Sequence, residues 1–110
     1  MTHLSAVPPT TRRLGLVAHV APTVYAVLDE RLDIGLELLG PHVVLGDDLA
    51  VHPLDLLEVV IDLESAFAIC VPEREIDHLR TVADLVHVIA KYVWERDHPE
   101  PYRPPLHVAA

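Results

Sequence analysis

Asp47 to Phe67 reads DDLAVHPLDLLEVVIDLESAF: an acidic loop and a turn that run into a strongly apolar helix. Pro53 suits the first helical position, where its missing N–H leaves nothing unpaired and its fixed φ already matches a helix. From Leu54 to Phe67 no Gly or Pro interrupts. Asp55, Glu58 and Asp62 fall at i, i+3 and i+7 and form one acidic stripe. Leu54, Leu56, Leu57, Val59, Val60, Ile61, Leu63 and Phe67 fill the other faces. A helix this apolar is buried on more than one side or offers surface to a partner.

Upstream, Pro22 to Leu32 is expected to form a first helix. Val24, Val27, Leu28 and Leu32 lie at helical spacing, and Pro22 is acceptable in a first turn. Arg12 to Ala21 (RRLGLVAHVA) is either a helical lead-in kinked by Pro22 or a strand-like segment packed on the body. Asp33 to Leu45 is a long connection punctuated by Gly35, Gly40 and Pro41. Its leucines and valines make it apolar for a loop, so it should pack across the core or carry a helical turn of its own.

Downstream, Ala68 to Pro72 is a short turn, and Glu73 to Leu79 reads as a brief third helix with acids at its start. Thr81 can cap the last helix, with Asp84 completing a capping box. Val82, Leu85, Val86, Ile89, Tyr92 and Val93 keep the helical period, which should stop near Arg96 because His98-Pro99 cannot continue it. Residues 1–11 read as a flexible N-terminal tail. Residues 97–110 hold Pro99, Pro101, Pro104 and Pro105 and read as an exposed tail of polyproline character.

The chain of 110 residues is long enough for one domain with a single core. Its apolar content is 51% but only 5% is aromatic, so the core is Leu, Val, Ile and Ala, which suits a small helical bundle. The net charge of −9 argues against nucleic acid as a partner and favours one with a basic patch. A lone cysteine, Cys70, excludes an internal disulfide framework and fits a cytoplasmic setting. Flanked by Ile69 and Val71, it reads as a buried structural thiol rather than a nucleophile. No secretory signal and no apolar run long enough for a membrane span are evident.

The central stretch resembles the acyl carrier protein family, which carries E-D-L-G-x-D-S-L-D followed by a helix of the form x-x-E-L-x-x-x-L-E-x-x-F. Asp47, Asp48, Leu49, Leu54, Asp55, Glu58, Leu63, Glu64 and Phe67 fall in register without a gap. Cys70-Val71-Pro72-Glu73 sits where the family has I-x-I-P-[DE], and Thr81-Val82 where it has T-V before the last helix. The likeness spans roughly residues 22–93. It implies an all-α, acyl-carrier-like four-helix bundle over residues 12–96, with a long first loop and a short third helix.

The resemblance breaks at the site of chemistry. In the family the serine of D-S-L carries the 4'-phosphopantetheine arm; here that position is Pro53, preceded by His52 instead of aspartate and by Ala50 instead of glycine. Proline has no hydroxyl and cannot form the phosphodiester. The other serines are Ser5, in the N-terminal tail, and Ser65, three turns along the helix. No bound arm is therefore expected. Pro53 reads as a lost modification site, as an altered carrier using another attachment, or as a changed residue.

The acidic stripe is either a solvated face or, as the resemblance implies, part of a docking surface made of Asp48, Leu54, Asp55, Glu58 and Asp62. Its partners would be acyl-metabolism enzymes with basic patches. None of the eight histidines pairs with another at i, i+3 or i+4, so no metal site is expected. His52 is either the N-cap of the central helix or a surface residue. No catalytic constellation stands out, and an enzyme is not expected. The expected function is a non-catalytic, carrier-like interaction module of fatty-acid or polyketide-type metabolism. The alternatives are a functional or altered acyl carrier, and a small helical protein that binds a free acyl chain without a covalent tether.

Overall fold

The computed structural model describes residues 9–98, with side chains from residue 15 onward. Four helices succeed one another: α1 (Pro9–Leu32), α2 (Pro53–Phe67), the single-turn α3 (Glu73–Ile76) and α4 (Val82–Asp97). A 3-10 turn, Leu36–Leu38, interrupts the long first connection. Among the described residues the only β pairing is an isolated antiparallel bridge, Val44 to Thr81. The fold is the all-α bundle expected, with its long first loop and short third helix.

The core is one aliphatic cluster. Val20, Val24 and Leu28 of α1 meet Leu56, Val59, Val60 and Leu63 of α2 and Val82, Leu85, Val86, Ile89 and Val93 of α4. Leu45 and Val71 close it from the connections. Each side chain of this size contributes about 1.5–3 kcal/mol on burial, and among the described residues no charged side chain is buried with them.

α1 is longer than expected. It runs unbroken through Pro22 and begins at Pro9, so residues 9–11, assigned to a tail, are helical; residues 1–8 and 99–110 lie outside the described residues. Of the two readings of Arg12 to Ala21, the helical one holds. Leu16, Val20, Val24, Leu28 and Leu32 repeat every four residues straight across the proline, and this stripe outweighs the local break. Pro22 is exposed, and the exposed Ala18, whose carbonyl it leaves without a helical donor, can be served by water.

α3 is shorter than expected, ending at Ile76 rather than Leu79. His78 N–H bonds Glu75 O and Leu79 N–H bonds Ile76 O, tightening the chain into turns. The helix cannot continue, because Arg80 and Thr81 must extend to meet the first loop. There Leu45 N–H bonds Arg80 O, Val82 N–H bonds Val43 O, and Ala83 N–H bonds Pro41 O. The loop thus supplies acceptors to the first donors of α4, which every helix leaves orphaned. Asp84 N–H bonds Thr81 Oγ1 and the Asp84 carboxylate accepts from Thr81 N–H, so the expected capping box is present.

Cys70 is exposed, not buried. Val71 is buried and Ile69 packs on the core, while Cys70 between them faces out.

Two alanines hold left-handed backbone, Ala50 (φ 54°) in the loop and Ala68 (φ 55°) at the end of α2. Glycine takes this region without Cβ strain. Ala50→Gly and Ala68→Gly should each stabilise the protein by about 0.5–1 kcal/mol, read as a raised urea midpoint. Pro22→Ala should stabilise by about 1–3 kcal/mol, because it restores a helical donor; an unchanged or lowered midpoint would contradict the unbroken α1.

Candidate functional site

The head of α2 is set by three successive residues. Pro53 occupies the first helical turn. His52 is the N-cap: its Nδ1 accepts from Leu54 N–H at 3.1 Å, and its carbonyl accepts from Leu56 N–H at 3.0 Å. Accepting through Nδ1 requires that nitrogen to be unprotonated, so the cap is made by a neutral ring with its proton on Nε2. Val51 is tied back to the loop by its N–H on Leu45 O. Of the two readings of His52, the cap is the one observed.

The other residues singled out in the sequence divide into two groups. Leu54 is 58% exposed and lies beside Asp55 on the outer face of α2. Ile61, two turns on, is 49% exposed, so Leu54, Glu58 and Ile61 form an outward row of apolar, acidic and apolar side chains. Asp55 has no ion pair among the described residues, whereas Glu58 and Asp62 do. Arg31, at the end of α1, grips Asp62 with both Nε–Oδ2 (2.5 Å) and Nη2–Oδ1 (3.0 Å), and stands 3.8 Å from Glu58. Asp48 accepts from Val44 N–H at 2.8 Å and returns its own N–H to Val44 O, which closes the loop before α2. Of the five residues, Asp48 and Asp62 also have structural partners.

Arg31 was not foreseen. It lies 31 residues from Asp62, and nothing local in the sequence pairs them. Glu64 is a similar case: its Oε2 accepts from Val71 N–H at 2.7 Å and pins the turn after α2. At the far end Arg96 donates to Phe67 O and pairs with Asp97, joining the ends of α2 and α4. Glu75 of α3 accepts from Lys91 Nζ at 2.8 Å and from Tyr92 O–H at 2.7 Å, which holds α3 on α4.

A cleft of about 530 Å³ opens between α2 and α3. Leu45, Val51, Leu56, Leu57, Ile76 and Leu79 make its walls, and Pro53 and Leu54 stand at its edge. No cluster of three or more His, Cys, Asp or Glu side chains suited to a metal occurs among the described residues. Among those residues no helix is long and apolar enough to cross a membrane.

The ion pairs carry a pH dependence. The hydrogen bond from Arg31 holds the Asp62 carboxyl below its ordinary range, and those from Lys91 and Tyr92 do the same for Glu75. Groups depressed in the folded state stabilise it above their unfolded titration, near about pH 4, and lose that contribution as pH falls through the folded values. The urea midpoint should therefore drop on acidification below about pH 4. The pair Asp62→Asn and Glu75→Gln should flatten that drop; an equally steep drop would show that these contacts are not formed in solution.

Known proteins resemble this chain in sequence. Residues 22–89 match the phosphopantetheine attachment site family. The acyl carrier protein of Syntrophobacter fumaroxidans is 31% identical over 75 residues, covering 68% of this chain and 93% of the relative. That of Thermotoga maritima is 32% identical over 68 residues, covering 62% and 84%. That of Helicobacter hepaticus is 34% identical over 67 residues, covering 61% and 88%. Members of this family are carriers for acyl-metabolism enzymes and not enzymes themselves. A helical bundle with this loop and this short third helix, matched along almost the full length of such relatives, makes the chain a member of the acyl carrier protein family.

Proposed function

We propose that this chain is a carrier-like interaction module of fatty-acid or polyketide-type acyl metabolism that holds no phosphopantetheine arm. The observation that carries this reading is Pro53 at the head of α2, where the family places its modified serine. No residue from 47 to 57 has a hydroxyl. Ser65 is exposed on the same helix, but twelve residues on, about 18 Å along the axis. The residues present do not fit the arm.

What remains of a carrier is its surface. The outer row of α2 offers Leu54, Asp55, Glu58 and Ile61, with Asp48 before it and Asp62 behind it held by Arg31. Exposed charges of this kind contribute little affinity each; they steer encounter and set orientation. The two apolar side chains give the contact its buried centre. The partner in this reading is an enzyme with a basic rim around an apolar pocket, in a cytoplasmic setting.

A second reading has its own support. The cleft between α2 and α3 has the size of a small-molecule site, and its leucine and valine walls, with Glu73 and Asp77 beside them, are the support for a free acyl chain held without a tether. Lipid found by mass spectrometry in the purified protein would favour this; a clean preparation would count against it.

Intact mass after incubation with coenzyme A and a broad-specificity phosphopantetheinyl transferase should stay unchanged. A gain of one arm would refute the empty site. Pro53→Ser in the same assay should restore modification if only the hydroxyl was lost. Continued refusal would place the divergence in Ala50, His52 or the docking face.

A further inference from the structure

The caps of α2 and α4 are made by different chemistry. Thr81 Oγ1, which accepts from Asp84 N–H at 3.1 Å, is a hydroxyl oxygen that keeps its charge throughout the ordinary pH range. His52 Nδ1, which accepts from Leu54 N–H at 3.1 Å, is an imidazole nitrogen whose lone pair is also a proton site. That lone pair serves one purpose at a time. A proton taken up at Nδ1 removes the acceptor and sets a positive ring against the positive end of the helix, which the dipole disfavours.

Little else holds this turn. Pro53 has no N–H, and Leu56 N–H is the first donor of α2 to reach a main-chain acceptor, His52 O at 3.0 Å. His52 is exposed, so water can deliver the proton. The ionisable groups on the elements that border it are Asp47 and Asp48 of the first loop, Asp55 of α2, and Glu73, Asp77 and His78 of α3 and the turn that follows. Among the described residues none makes a hydrogen bond or ion pair with the ring. Carboxyl groups ordinarily titrate near about pH 4, below the window in which an imidazole changes charge. His98, at the end of α4, is the opposite case. Its Nδ1 lies 3.1 Å from Trp94 O, a carbonyl that can only accept, so this contact needs the proton that the His52 contact forbids. Mild acid therefore loosens the head of α2 and spares both ends of α4.

We propose that His52 is a proton-operated latch on the first turn of α2. Neutral, it caps the helix; protonated, it lets go, and the turn carrying Leu54 and Asp55 frays. These two residues begin the outer face of α2, so the proton sets how that face is presented. What this does to a partner rests on the docking role proposed above, whereas the latch itself does not.

Nuclear magnetic resonance on the full-length protein reads the latch without a partner, so its failure is distinct from failure of the docking role. At the alkaline end of the imidazole window the His52 ring nitrogens should show the tautomer protonated at Nε2. Between about pH 8 and pH 5, the Leu54 amide should lose protection against hydrogen exchange, with the same midpoint as the His52 ring. Corrected for intrinsic rate and referred to the Asp84 amide, the loss should be about fivefold, the worth of one cap. The α-carbon shifts of Leu54 and Asp55 should lose helical character together. His52→Asn caps through an oxygen that does not titrate, so in that variant the ratio of Leu54 to Asp84 protection should stay constant over the same range. The opposite tautomer in the wild-type ring, a constant ratio in the wild type, or an equal loss in His52→Asn would each overturn the proposal.

Discussion

Everything in this bundle rests on the buried stripe of α1. Val20, Val24 and Leu28 are wholly enclosed, and α1 is the helix that packs against both α2 and α4. Aliphatic side chains fill this seam, so its stability is a matter of apolar area removed from water rather than of specific polar contacts. The polar groups do a different job. They lie at the margins and fix where each helix ends: Arg31 on Asp62, Glu64 on Val71 N–H, Glu75 under Lys91 and Tyr92, Arg96 on Phe67 O. A greasy seam alone permits sliding and rotation, whereas these directional contacts select one arrangement.

The first loop is the second constraint. It spans from Asp33 to His52, yet it is anchored by Leu45 in the core and by main-chain bonds to residues 80–83. That pairing shortens α3, caps α4, and delivers the chain to the head of α2 at a set angle. Ala50 accepts a left-handed backbone to make the last bend, the kind of position that glycine fills at lower strain.

At the head of α2 the same contrast recurs. A carrier needs a reactive hydroxyl where the helix begins; this chain has a ring that starts the helix well and a histidine that caps it through a lone pair. Both residues serve local structure. Leu54 and Ile61 remain in solvent although the core had the chemistry to take them, and isolated exposed apolar residues gain meaning when acids border them in a row. Arg31 trims this face, because it pairs with Asp62 and stands beside Glu58, whereas Asp55 has no ion pair among the described residues.

The residue order by itself determined the number of helices, the seam of α2 and α4, the capping box at Thr81 and the proline, without a hydroxyl, at position 53. Each of these comes from spacing within a few residues or from covalent structure alone. The extent of α1 was also written there, in the four-residue repeat from Leu16 to Leu32, but the proline inside it reads locally as a beginning. Only the tertiary structure decided the rest: that Cys70 faces out, that α3 stops after one turn, and that Arg31 meets Asp62. These depend on which distant segments are brought side by side, and contacts between residues tens of positions apart leave no periodicity to be read.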